Sequence, residues 1–475
     1  MEILEIRTLR GPNYWSGYWT KLIVMRVDIG EYEKHPTDKI EGFYDRLVGV
    51  MPSLEIHGCS YKEEGGFLRR VKEGTWAGHV IEHLALELQT LAGMDTGYGR
   101  TRETSEKGVY NVVYSYIEEE VGRYAGRAAV KLWLDLAENT SVDEIRQTIA
   151  GDIQEMREIR ENVRFGPSTG SLVEEALNRD IPYIRLNDQS LVQLGYGVNQ
   201  KRIQATTTVN TNMISVDIAG NKAATKKLLG DMGVPVPDGY KIRDIDELQR
   251  TVERVGYPVV IKPLDGNHGK GATVGIKTLE DASTAFEKAK EYSRWVIVEK
   301  QLMGADYRAL VVNNRLIAVA ERVPAHVIGN GKGTIQQLVD ETNADPRRGY
   351  GHEKVLTQIT VDGQTMRCIR KAGYELDSVL AKGEMLHLKT TANISTGGTA
   401  IDVTDEVHPE NVFLFERIAR IIGLDVAGID VIATNVSDPL KESGGGVIEV
   451  NAAPGFRMHL APSEGIGRNV AEHVI

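Results

Sequence analysis

The sequence predicts an α/β chain of the α+β kind, with a smaller α+β domain over residues 1–161 followed by a larger domain over 162–475. Three observations predict it. At 475 residues the chain exceeds what one hydrophobic core can organise. A charged helix ending before Gly166-Pro167 reads as a bridge between two regions. From about Phe165 onward, apolar strand runs alternate with helical periodicity, which argues for packed layers of sheet and helix.

The first region opens with strand candidates at Glu2–Leu9 and Lys21–Asp28, separated by a loop rich in Gly, Tyr and Trp. Val80, Ile81, Leu84, Leu88 and Leu91 recur at helical spacing over Gly78–Leu91. A longer helix is predicted over Asn111–Asn139. The bridge helix, Ser141–Asn162, starts with Ser141 as N-cap and Glu144 three positions on.

In the second region Asn221–Gly233 reads as a helix closed by its glycine, and Pro258–Leu264 as a short apolar strand running into glycines. Leu279–Ser293 is a helix and Trp295–Leu302 a strand. Asn313-Asn314 is a good hairpin turn between Tyr307–Val312 and Leu316–Arg322. Pro409–Leu424 is a helix, followed by strands Val426–Ala433 and Gly446–Val450. The last residues, Asn469–Ile475, read as an unfinished helix and suggest a domain boundary or a fragment.

Composition narrows the class of function. Lys+Arg 56 against Asp+Glu 67 leaves a formal charge of −11 and a pI near 5.6. A nucleic-acid binder would need a basic face instead. Cys59 and Cys368 stand far apart, with no CxxC, so a disulfide framework is not expected. The charged start Met1-Glu2-Ile3-Leu4-Glu5 is no signal peptide, and no apolar run reaches the roughly 18 residues of a spanning helix. The expected compartment is the cytoplasm.

Four pieces of the second region fit one nucleotide site. Lys222 stands at a helix start and Lys262 in the strand Val259-Val260-Ile261-Lys262-Pro263, where an ammonium is a fixed point charge for phosphates. Asp265-Gly266-Asn267-His268-Gly269-Lys270-Gly271 follows, and its glycines let backbone N–H groups close over phosphate oxygens. Val296-Ile297-Val298-Glu299-Lys300 ends an apolar strand in a carboxylate that can accept an amino or hydroxyl proton. Asp430, Glu449 and Asn451 are hard oxygen ligands suited to Mg²⁺, and period-two spacing puts Glu449 and Asn451 on one strand face.

In this order, with Arg308 in Gly304-Ala305-Asp306-Tyr307-Arg308, the pieces resemble the ATP-grasp superfamily of ligases over roughly residues 220–455. The resemblance implies an ATP-grasp fold preceded by the smaller domain, with a mobile lid within about 222–304. It implies ATP and Mg²⁺ as cofactors and an acyl-phosphate intermediate. Arg308 stands where the superfamily places an arginine near the transferred phosphate, stabilising charge as it develops there.

A closer resemblance runs along the whole chain. Leu9-Arg10-Gly11-Pro12-Asn13-Tyr14-Trp15, Phe165-Gly166-Pro167-Ser168-Thr169, Tyr196–Gln204, Asp265–Gly271 and Ala392-Asn393-Ile394-Ser395-Thr396-Gly397-Gly398 are similar to the cyanophycin synthetase family. That family extends a poly-aspartate backbone that carries arginine on its β-carboxylates. The resemblance implies L-aspartate and a polymer primer as substrates, a homo-oligomer, expected as a tetramer, and polymer docking by the first domain. It makes Ser168, Ser395, Gly397, Gly398 and Arg457 candidates for holding the chain end and the incoming aspartate. The family's Mur-ligase-like, arginine-adding domain needs a P-loop. Gly329-Asn330-Gly331-Lys332-Gly333-Thr334 lacks that spacing. A fused glutathione-synthetase-like ligase shares much of the Tyr196–Gly271 pattern, and a metallopeptidase with an ATP-grasp binding module is the rival of another class.

One motif lies outside this scheme. Gly78-His79-Val80-Ile81-Glu82-His83 contains H-x-x-E-H, which on a helix sets His79 and His83 at i and i+4 to share a Zn²⁺ ion. Glu82 is then a candidate general base. For the third ligand, Glu120 shares the apolar face marked by Val113, Tyr116, Ile117, Val121 and Tyr124 better than Glu118 or Glu119 does.

Overall fold

A computed structural model describes residues 1–138, 140–264, 271–350 and 354–475. Two compact units emerge, Met1–Arg164 and Phe165–Ile475, against the boundary at 161/162 read from the sequence. Among the described residues no helix is long and apolar enough to cross a membrane.

The first unit is built on an antiparallel sheet in the order Glu2–Arg10, Lys21–Asp28, Val109–Ser115, Gly99–Glu103. Alternation along Lys21–Asp28 sends Ile23, Met25 and Val27 to one face and Leu22 and Val24 to the other. The first set packs with helices Ala77–Leu91 and Glu119–Ala137 around a core that includes Trp133. The second set is covered by Trp15 and Trp19 of the aromatic loop. Ser141 caps the helix Val142–Val163 by accepting from the Glu144 amide at 3.3 Å.

One expectation needs correction here. The helix expected over Asn111–Asn139 is a strand, Val109–Ser115, followed by the helix Glu119–Ala137; Asn139 itself lies outside the described residues. The run Val109-Tyr110-Asn111-Val112-Val113-Tyr114 is mostly β-branched and aromatic, and each of its six residues pairs with one on Lys21–Asp28. The helical spacing from Val113 to Tyr124 therefore spanned two elements.

Among the described residues the second unit holds three antiparallel sheets of four or five strands, one of them in the order Tyr183–Arg185, Leu191–Leu194, Lys201–Gln204, Thr207–Thr208. The other two build a common cleft. Four strands run in the order Thr273–Ile276, Val259–Pro263, Val296–Lys300, Gly239–Ile242, covered by helices Leu248–Val255 and Leu279–Lys290. Five run in the order Thr399–Asp402, Arg315–Val323, Ala305–Val312, Val426–Ala433, Gly446–Asn451, packed against the helix Pro409–Ile422. Strand pairing is antiparallel throughout the named sheets except for the two-residue pair Arg348–Gly349 with Leu356–Thr357, so the class is α+β. Asn313 and Asn314, both at positive φ, close the hairpin between the second and third of the five strands. Between that hairpin and Thr399 a smaller core forms around Val327, Ile335, Leu338 and Leu386. The final residues form a short 3₁₀ turn, Val470–His473, in place of the expected helix.

Candidate active site

The sheet that carries Lys262 and the sheet that carries Asp430 face a cleft of about 1050 Å³, whose lining includes Lys222, Lys262, Glu299, Arg308, Asp430, Glu449 and Asn451. Register explains the convergence. Arg308 lies directly opposite Asp430, and Asp430 directly opposite Glu449, so three neighbouring strands present these groups on one face. Asn451 joins them two residues beyond Glu449, opposite Gly428.

Asp430 is buried, and burial alone would raise its carboxyl pKa. Arg308 and Arg322 override that and hold it below the ordinary range. Arg308 binds both carboxylate oxygens of Asp430, its Nη2 reaching Oδ2 at 3.1 Å. Arg322 reaches Oδ2 at 3.1 Å and also donates from Nε to Asp306 at 2.9 Å. The result is a buried network of two acids and two arginines that fixes the Arg308 guanidinium.

On the other sheet, Glu299 accepts from Lys262 and, at 3.1 Å, from Lys226 on the helix Lys222–Asp231. Burial would raise its carboxyl pKa, but the two ammonium groups hold it below the ordinary range. Burial in turn lowers Lys226. The Glu299 carboxylate thus clamps two lysines together, on the wall of the same cleft in which it is expected to meet a nucleotide. Lys222, at the start of the same helix, lines the cleft.

A divalent ion fits this donor set. Asn451 spends its amide N–H on the Gly428 carbonyl at 3.4 Å, which leaves the carboxamide oxygen as an acceptor. Glu449 and Asn451, with Asp430 beside them, are the hard oxygen donors Mg²⁺ takes. The two arginines on Asp430 make it the shared member of the set.

The loop residues His268, Gly269 and Lys270 lie outside the described residues. Gly271 follows them at φ +72, and a Cβ there would meet Tyr292 at 2.7 Å.

The residues expected to hold the chain end and the aspartate take the following places in the fold. Ser168 accepts from the Phe456 amide at 2.9 Å, tying the helix Pro167–Asn178 to the residues after Asn451. Gly397 and Gly398 spend their N–H groups on Ile394 and Asn393 carbonyls within their own turn. A Cβ at Gly397 would come within 2.7 Å of Ile359, and one at Gly398 within 2.8 Å of the Val323 carbonyl. Both glycines therefore answer to backbone packing. Ser395 is exposed on the adjoining 3₁₀ turn and does not line the cleft. Arg457 is buried, donating to the Lys354 carbonyl and the Thr357 hydroxyl, also away from the cleft lining.

In the first unit, Cys59, His79 and His83 bring their ligand atoms within 4.8 Å of one another. They line a cleft of about 940 Å³ together with Lys62, Arg70, Arg100 and Arg102 and with Glu82, Glu87 and Asp95. Cys59 Sγ lies 3.2 Å from His79 Nε2. A relay fixes the second imidazole. Glu87 accepts from His57 Nε2 at 2.8 Å, and His57 Nδ1 meets His83 Nδ1 at 2.8 Å. With His57 neutral, the relay puts the His83 proton on Nδ1 and leaves Nε2 bare, the arrangement that orients a metal-ligating histidine. Glu82 is buried, accepts from the Thr101 hydroxyl at 2.6 Å, and burial pushes its carboxyl up to about 7. Glu120 is exposed at the start of its helix and has no part in the cluster. The third sulfur or nitrogen donor is Cys59, brought in by a loop that no helical spacing could have indicated.

Comparison with known proteins agrees with both units. A family model described as the ATP-grasp domain matches residues 227–309. The crystal structure of a bifunctional glutathione synthetase from Pasteurella multocida aligns with TM-score 0.54 at 28% identity, over 75% of this chain and 52% of that one. The second unit has the ATP-grasp fold. A model described as the Cyanophycin synthase-like N-terminal domain matches residues 24–138. Cyanophycin synthetase of Trichormus variabilis is 53% identical over 476 residues, 100% of this chain and 53% of its own length. That of Synechocystis is 52% identical over 480 residues, 100% of this chain and 54% of its own. The chain resembles cyanophycin synthetase along its whole length and spans about half the length of these relatives.

Within the ATP-grasp domain, sequence reasoning missed Lys226, Arg322 and Asp306 as members of the site. Lys226 carried a signal: it lies one helical turn beyond Lys222, on the same face. Asp306 shares a strand face with Arg308 by simple alternation. Arg322 carried no such signal, because a bulge between Leu310 and Val311 sets its register.

Proposed function

We propose that the ATP-grasp domain adds L-aspartate to the backbone C-terminal carboxylate of cyanophycin, the Asp/Arg polymer, through an acyl phosphate formed from ATP. One observation carries the chemistry: a single sheet face gathers Arg308, Asp430, Glu449 and Asn451 into the same cleft as Lys222 and Lys262. The whole-length similarity to cyanophycin synthetases supports the choice of substrates.

In this reading Lys262 and Lys226, held as a pair by Glu299, supply fixed positive charge to the nucleotide phosphates. The polymer carboxylate attacks the γ-phosphorus, and ADP leaves. Arg308, anchored by Asp430, needs no reorganisation to stabilise charge on the transferred phosphoryl group and on the oxyanion that follows. Glu449, Asn451 and Asp430 would hold Mg²⁺, which neutralises phosphate charge during transfer. The aspartate amino group then forms the C–N bond as phosphate departs. By the same resemblance a parent enzyme would also add L-arginine through a separate domain, and the working form is a cytoplasmic homo-oligomer, proposed as a tetramer.

The test is ATP-dependent ligation with a short primer and each amino acid in turn, read as ADP release and product mass. Aspartate-dependent growth supports the proposal. Turnover with cysteine or glycine instead would favour the glutathione-synthetase-like reading, and no ADP release at all would leave the ATP-grasp domain as a binding module.

A second reading is favoured by the Cys59–His79–His83 cluster. Thiolate sulfur and imidazole nitrogen are Zn²⁺ donors, and three protein ligands match a catalytic site with an open position. Bound there, such an ion would supply Lewis acidity at a peptide carbonyl. Glu82, on the same helix, would take the proton of the attacking water. The lysine and arginines of the cleft around it suit a polymer with free carboxylates, so this domain would dock polymer and cut it into primers.

A further inference from the structure

Among the described residues, each carboxylate lining the cleft has a partner or a place in the metal set. Glu299 holds two lysines, Asp306 and Asp430 hold arginines, and Glu449 belongs to the metal set. Glu321 meets Tyr307. Yet an amino acid reaches the acyl phosphate as an ammonium, which cannot attack until it loses a proton. Among the described residues lining the cleft, one imidazole is present, that of His387.

His387 stands at the end of the strand Met385–His387, which pairs with His326–Ile328 to form a two-stranded sheet. His326 lies directly opposite it, with ring centroids 6.1 Å apart and planes inclined at 72°. His326 Nδ1 is 2.9 Å from the Pro324 carbonyl, which can only accept, so Nδ1 carries the proton and the ring is fixed. His387 itself is solvent-accessible on the cleft wall. Nearby charges are matched: Lys389, two residues on, pairs with Asp362 at 2.7 Å. Burial, then the neighbouring His326, keep the His387 ring below its ordinary pKa and hence neutral.

We propose that His387 is the general base that deprotonates the incoming amino group in the second half of the reaction, an inference that rests on the acyl-phosphate reading above. One N–H bond of the ammonium breaks and its proton goes to a bare ring nitrogen of His387. The freed lone pair forms the C–N bond at the acyl carbon. The C–O bond to phosphate breaks, phosphate leaves with that electron pair, and the second amino proton departs with it.

Hydroxylamine separates this role from others, because it is already an unprotonated nucleophile at neutral pH and needs no base. The unaltered protein, given ATP and primer, should form acyl hydroxamate with hydroxylamine and elongated polymer with aspartate. His387→Gln should lose about 100-fold in the aspartate reaction while keeping hydroxamate formation within a few-fold. Equal losses with both nucleophiles would assign His387 to structure, and no loss with aspartate would remove it from the reaction. Either result overturns the proposal. Failure of the unaltered protein to form hydroxamate would instead remove the acyl phosphate, and this inference with it.

Discussion

Arg308 and Asp430 face each other across two antiparallel strands and form a buried ion pair whose far side is held by Arg322. Such a pair contributes geometry more than net stability, because desolvation offsets much of the Coulomb attraction. Breaking it leaves a buried guanidinium unmatched. Asp430→Ala should therefore cost about 3 kcal/mol of folding stability, seen as a lower denaturant midpoint, and abolish ADP release.

Glu449 offers a cleaner separation of chemistry from fold. It is half-buried at the cleft and shares no ion pair among those described. Glu449→Ala should fold with a thermal midpoint close to the unaltered protein yet show ADP release lowered about 100-fold or more. Full turnover would contradict the metal assignment.

Glu299→Gln removes the charge that holds Lys262 and Lys226 together. The KM for ATP should rise about tenfold, and stability should fall by about 3 kcal/mol near neutral pH. The sign of the pH dependence follows from the depressed folded pKa. The Glu299 contribution is full above the ordinary carboxylate pKa and is lost as pH falls from there through the lower folded value. Urea titrations between about pH 6 and 3 should show a steeper acid loss in the unaltered protein than in the variant.

Metal content tests the donor set of the first domain. The protein purified with Zn²⁺ present should carry one ion per chain by elemental analysis. Cys59→Ser and His83→Ala should each lower occupancy at least tenfold, whereas Glu120→Ala should leave it unchanged. Loss on Glu120→Ala would restore the ligand assigned from helical spacing. With the metal retained, Glu82→Gln should abolish primer-generating hydrolysis.

Gly397 separates packing from substrate binding. Its φ of +95 and the 2.7 Å approach of a Cβ to Ile359 both oppose a side chain. Gly397→Ala should lower stability by about 1–3 kcal/mol while leaving the KM for primer in the folded fraction within a factor of two. A selective rise in that KM would return the glycine to the binding site.

Much of the second domain was legible locally. The lysine on an apolar strand, the Asn313-Asn314 turn and the Glu-x-Asn strand end each depend on a few neighbouring residues, so periodicity and turn chemistry sufficed. His79 and His83 were legible for the same reason, since one helix sets their spacing. The strand Val109–Ser115 was not, because its sheet partner lies at Lys21–Asp28 and its apolar residues also fit a helical period.

The order of chemical groups along the chain determined which lysines, arginine and oxygen donors line one cleft and that one helix carries paired histidines. Which side chains meet was settled only in three dimensions. Counting back from the Asn313-Asn314 turn without a bulge would set Glu321, not Arg322, opposite Asp306. The observed bulge between Leu310 and Val311 moves the register by one residue and brings Arg322 to the face of Asp306 and Asp430. A one-residue slip in a strand exchanges the two faces, and its energy is decided by partners far away in sequence. Cys59 entered the histidine cluster by the same rule, from a loop whose path only the packed fold defines.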